Sequence, residues 1–227
     1  MAGLLRRSRG ALFMTFVVVA PLPFVMHSVL RGVSLGTELE QATSRLISSD
    51  VGATLSIYVH MVLGGLLTLL APLQLSQAVR ARRPVLHRAN GRLVGTLAII
   101  TGLTGLYYIA RQGTIGGPWM NVGFAIYGAL LILAAAQTLR FAVRRDARHA
   151  AWAGRLIILA LASFFYRVQY TIWAIIAGEA GMEPDFSGAF DRVMVFGFYV
   201  PWLILYEVVR LRRGPRPVPG LAPQKTA

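Results

Sequence analysis

The chain has 227 residues, 56% of them hydrophobic and 14% charged, with a mean hydropathy of +0.59. A soluble domain carries about 25% charged residues, so a water-soluble fold of this length is excluded. There is no Cys, which removes disulfides, thiolate metal sites and iron–sulfur clusters. The net charge of +14 stands in short clusters beside apolar runs rather than along one face, so no nucleic-acid partner is expected.

A bilayer core takes roughly 20 apolar residues per helix, so the chain has room for about six spans with short loops, an all-α polytopic bundle. The first run, 11–30, follows Arg6, Arg7 and Arg9 and resembles a signal peptide. Its one small-residue cleavage point, Val18-Val19-Ala20, is followed by Pro21, so an uncleaved first helix is expected. The second helix is expected over 51–79, with a kink at Pro72. A basic loop then carries Arg80, Arg82, Arg83, Pro84, His87, Arg88 and Arg92. A third helix is predicted over 93–110, a Gly-rich turn over 111–118 and a fourth helix over 119–143. After Arg144, Arg145, Arg148 and His149 come a fifth helix over 154–177 and a sixth over 192–209. The reading is one transmembrane domain over 1–213, with a disordered, basic, Pro-rich tail over 214–227.

Arg and Lys concentrate before the first helix, in the two basic loops and in the tail. The alternate loops hold Glu38, Glu40, Asp50, Glu179, Glu183, Asp185 and Asp191, whereas Asp146 and Glu207 fall on the basic side. This asymmetry predicts both termini in the cytoplasm of a bacterial inner membrane, with the basic loops against anionic lipid head groups. A weak internal repeat accompanies it. The stretch 66–71 followed by Ala78-Val79-Arg80 returns as 130–135 followed by Ala142-Val143-Arg144, and Gly91-Arg92-Leu93 returns as Gly154-Arg155-Leu156. Two parallel copies of helix, basic loop with a His, and helix are expected.

Small residues let helices in lipid approach closely. The third helix has Gly91, Gly95, Ala98, Gly102 and Gly105 on one face; the second has His60, Gly64, Leu67, Ala71, Gln74 and Ala78. With Asn121, Ala125, Gly128 and Ala135 on the fourth and Ala160, Ser163, Arg167 and Tyr170 on the fifth, helices two to five read as a four-helix core.

Two sets of polar residues could carry chemistry. His60 and Arg167 lie at similar depth, roughly 13 Å below one end of their helices at 1.5 Å per residue. A buried arginine in a bilayer turns to a partner, a wet cavity or an anion. Two alternatives are open. A pocket of His60, Gln74, Tyr166, Arg167 and Tyr170 would bind a small or amphipathic anion; otherwise Arg167 snorkels and His60 is a hydrogen-bonded core residue. The second set is His87 with His149, each opening a helix after a basic loop. Facing imidazoles can ligate haem b, with His27 and His60 as a second pair, which would make an electron-transfer protein similar in plan to cytochrome b561. A zinc site is not supported, since three or four convergent ligands are not evident. G-x-S-x-G, H-E-x-x-H, Walker A and dinucleotide fingerprints are all missing. A structural or assembly partner in the membrane would leave no sequence mark.

The string His60-Met61-Val62-Leu63-Gly64, then Ala71-Pro72-Leu73-Gln74, Arg80, Pro84, His87-Arg88 and Gly91-Arg92 resembles a family of bacterial membrane proteins, domain of unknown function 2306. Gly123-Phe124, His149 with Trp152 and Arg155, Arg167 and a closing Glu207 agree with it, so the resemblance covers roughly 55–210. Arg88, Arg92, Trp152 and Arg155 form its motif at the basic face. The resemblance implies a six-helix inner-membrane protein and names no reaction.

Overall fold

The computed structural model describes residues 12, 15–38 and 46–212. The basic residues Arg6, Arg7 and Arg9, the acidic Glu40 and the tail 214–227 lie outside them.

Among the described residues the chain is all-helical, with six helices long and apolar enough to cross a membrane. The first span, Thr15–Gly32, turns at Ala20-Pro21 and continues as α1 (Leu22–Gly32). Asp50 caps α2 (Val51–Leu70) by accepting from the Ala53 N–H at 3.1 Å. Arg111 donates to the same carboxyl at 2.6 Å and holds its pKa below the ordinary range.

Pro72 lacks the N–H that an α-helix needs, and the chain tightens to a 3-10 turn over Ala71–Leu75. Ser76 is extended and caps the short α3 (Gln77–Arg82). At this change of helix type Leu70 O also accepts from Asn90 Nδ2 at 3.2 Å. The stretch expected as a basic loop is therefore largely helical: α4 starts at Pro84 and runs to Arg111 (Pro84–Arg111). Proline suits the first helical turn, and arginine is a good helix former.

The bundle continues with α5 (Gly117–Val143) and α6 (Arg148–Ala177), which ends on Gly178 in the left-handed conformation. The sixth span is broken into α7 (Ala189–Gly197) and α8 (Val200–Arg212). Pro201 explains the break, since it cannot donate to Gly197 O. Gln169 Nε2 from α6 reaches that carbonyl instead, at 3.3 Å. Backbone groups freed inside a membrane must find such a substitute.

Helices α2, α4, α5 and α6 form the expected four-helix core, α1 lies along α2, and α7 and α8 pack on α5 and α6. The sixth span also contributes Met194, Phe198 and Tyr199 to the buried cluster. The glycine face of α4 is shared between two neighbours. A Cβ at Gly102 would stand 2.5 Å from Ile132 Cγ1 on α5, and one at Gly105 would stand 2.9 Å from His60 Nδ1 on α2. Polar ties complete the packing: Ser28 Oγ donates to Met61 O at 2.8 Å, Thr68 Oγ1 to Ala160 O at 3.2 Å and Tyr127 OH to Leu159 O at 2.7 Å.

Candidate functional site

Arg167 on α6 is exposed and lines a groove between the first span and α6. The groove measures about 470 Å³ and is walled by Ala20, Pro23, Phe24 and His27 on one side and Phe164, Arg167, Val168, Thr171 and Ile172 on the other. That volume falls within the roughly 300–1,000 Å³ of small-molecule sites. The Arg167 guanidinium stands over the Phe24 ring, 4.6 Å from its centroid, a cation–π contact that satisfies a face of the group but not its N–H donors. Arg167 has no ion pair among the described residues.

The groove exists because α1 leans on α2 and not on α6. A Cβ at Gly32 would meet Val62 Cγ2 at 2.5 Å, and one at Gly65 would meet Val29 Cγ2 at 2.8 Å. Those two glycines draw the helices together and leave the other flank of α1 open.

The other residues grouped with Arg167 by sequence stand elsewhere. His60 does not line the groove; its Nδ1 is 2.8 Å from Thr101 O on α4, in the space that Gly105 leaves. Gln74 is at the arginine-rich end, where its Nε2 donates to His87 O at 3.3 Å. Tyr166 and Tyr170 turn toward the sixth span. Tyr166 OH donates to Tyr170 OH at 3.1 Å, which donates to Asp191 Oδ1 at 2.7 Å. Asp191 is 0% exposed, and its Oδ2 accepts from the N–H groups of Glu183 at 2.9 Å and Gly188 at 3.1 Å. By sequence Asp191 falls among the loop charges. Its place three residues after Gly188, at the start of an apolar run, is the signal that was available, because the third helical residue can reach back to the cap N–H.

His27 lines the groove with Arg167, while His60 Nδ1 is turned to Thr101 O on α4. His87, in the first turns of α4, and His149, in the first turn of α6, both stand at the arginine-rich end. His149 Nδ1 is 3.1 Å from Thr138 O, and His87 Nδ1 is buried without a hydrogen-bond partner among the described residues.

The motif at this end ties helices together. Arg155 Nε donates to Glu207 Oε1 at 2.7 Å and its guanidinium lies 4.4 Å from the Trp152 ring centroid. Arg210 takes the other Glu207 oxygen at 2.7 Å, so the pair joins α6 to α8. Asp146 is held by Arg148 at 2.7 Å, which lowers its pKa to about 2. Arg88 and Arg92 have no ion pair among the described residues.

Six apolar spans, with an open groove between two of them and an arginine-rich end, define a multi-pass helical membrane protein. The chain belongs to the family described as Predicted membrane protein (DUF2306), whose sequence profile matches residues 57–209. No curated protein and no solved structure matches it.

Proposed function

We propose that the protein binds an amphipathic anion in the groove between the first span and α6, with Arg167 as the principal contact and His27 beside it. The observation that carries this is Arg167: a guanidinium in a groove that is apolar but for His27 and Thr171, with no carboxylate among the described residues to pair with it. A charge at such depth is costly unless a partner or water meets it. An anionic head group would meet the guanidinium, and an acyl chain would meet Phe164, Val168 and Ile172. Transport or sensing would both start from this binding step.

The orientation belongs to the same reading. Basic residues gathered at one end support termini in the cytoplasm of a bacterial inner membrane, which places Arg167 in the outer half and the arginine-rich end against anionic inner-leaflet lipids.

The test is native mass spectrometry of the full chain purified in mild detergent. Wild type should retain an acidic amphiphile, Arg167→Gln should lose it, and Arg167→Lys should keep part of it. Equal retention in wild type and Arg167→Gln would end this reading and leave a structural or assembly role.

A further inference from the structure

The groove between the first span and α6 is graded along its length. Its two walls are the first and fifth of six spans, so they run in the same direction, away from the arginine-rich end. Ala20, Pro23 and Phe164 therefore wall the end nearer the arginines, and His27, Thr171 and Ile172 wall the other. Arg167 lies between them, ten residues before α6 ends at Ala177, or about 15 Å of helix at 1.5 Å per residue. His27 lies five residues before α1 ends at Gly32, or about 8 Å. One end of the groove is thus polar and the other apolar, with the cation well below the helix ends.

The hydrogen-bond donors available there are few. Phe24 covers one face of the Arg167 guanidinium at 4.6 Å, and the N–H groups lie in the guanidinium plane, where a carboxylate can accept two of them side by side. His27 can add an imidazole N–H. Thr171 has no proton to offer, because its hydroxyl donates to Arg167 O at 2.9 Å. A carboxylate consists only of acceptor oxygens, and these donors satisfy it. A phosphodiester brings ester oxygens and the hydroxyls or ammonium of a polar head group as well. Among Phe24, Val168 and Ile172 those groups would go unmet, which is costly. One permanent cation also balances one negative charge, so a dianionic head group would keep charge unpaired. The volume of about 470 Å³ is toward the lower part of the roughly 300–1,000 Å³ of small-molecule sites, and it suits one chain rather than two.

We propose, resting on the groove as an anion site, that its ligand is a single-chain fatty acid. The carboxylate sits on Arg167 and His27, and the chain runs past Phe164 and Pro23 toward the arginine-rich side. Phe24 acts as a positioning residue that holds the guanidinium plane across the groove.

The test is a titration of the full chain in mild detergent with palmitic acid, hexadecanol and phosphatidylglycerol, read by native mass spectrometry. It is run at about pH 8, where a carboxyl group in water is ionised. Wild type should bind one palmitate per chain, about tenfold or more tighter than either hexadecanol or phosphatidylglycerol. Arg167→Gln should bring palmitate down to the level of hexadecanol, and His27→Phe should weaken palmitate severalfold while leaving hexadecanol unchanged. If Arg167→Gln does not fold, the three ligands compared on wild type still decide the head-group class. Equal binding of palmitate and hexadecanol by wild type would overturn the proposal. Phosphatidylglycerol bound more tightly than palmitate, and lost in Arg167→Gln, would also overturn it while leaving the groove an anion site. Binding of both anions unchanged in Arg167→Gln would sink the fatty acid and the anion site together.

Discussion

Replacing Asp191 by Ala removes the acceptor of three hydrogen bonds, from Tyr170 OH and the N–H groups of Glu183 and Gly188. Asp191 is fully buried, so water does not take the place of its carboxylate without local opening, although Glu183 is exposed and Gly188 half-buried. An unmade hydrogen bond costs about 1–3 kcal/mol at a buried donor and less at a part-exposed one, so losing the Tyr170 hydroxyl bond and both backbone bonds amounts to about 2 kcal/mol or more. At 1.4 kcal/mol per factor of ten, the segment from Glu183 to Gly188 should open at least about thirtyfold more often. Hydrogen exchange of the purified protein reads this directly as faster exchange at the Glu183 and Gly188 amides, with amides in the middle of α4 unchanged as an internal control. Asp191→Asn keeps one acceptor oxygen and should show a smaller effect. Wild-type exchange at both amides in Asp191→Ala would refute the reasoning and mean that this carboxylate does not hold the segment.

Three further outcomes follow from the packing and charge geometry. Gly102→Ala should destabilise the bundle by about 1–3 kcal/mol, because the new methyl overlaps Ile132 and approaches Gly128 O at 3.1 Å; an unchanged melting temperature in detergent would contradict the close α4–α5 approach. Glu207→Gln should cost about 1 kcal/mol or less, as expected of a partly exposed pair. Arg155→Ala should cost more because it also loses Trp152; the reverse order in thermal melts would remove the α6–α8 clamp. Arg148 depresses the Asp146 pKa to about 2 from 3.8, so the stabilisation is present above the unfolded value and is lost as pH falls through the folded one. Exchange at the Arg148 amide, which Asp146 accepts at 2.8 Å, should stay protected from pH 8 to about 5 beyond the intrinsic pH effect and weaken below about 4. Asp146→Asn should abolish that step.

Much of the fold was legible because the bilayer imposes length and hydropathy on every span. The breaks were less so. Pro72 was readable as an interruption, yet the helical 77–92 stretch was not, since a run of arginines reads equally as a loop or as an exposed helix. Pro201 carried the signal for the break between α7 and α8, but apolar residues on both sides masked it.

The candidate site was legible in part. Arg167 stood out as a charge in an apolar run, and its depth suggested a ligand. Its neighbours were not readable, because helical periodicity gives a face without saying which helix it meets. Arg167 and Tyr170, placed on one face by spacing, diverge to the first span and to Asp191. His60 matched Arg167 in depth, but Gly105 opened space for it on α4. His27 and Phe24 were the partners, and no local pattern marks a contact between the first and fifth spans.

The most direct test of the groove is photolabelling of the full chain in membranes with a diazirine-bearing fatty acid, followed by peptide mapping. The account predicts label on the stretches around Phe24–His27 and Phe164–Ile172, competed by excess fatty acid and lost in Arg167→Gln. Label spread evenly over all lipid-facing helices, and unchanged by Arg167→Gln, would contradict it.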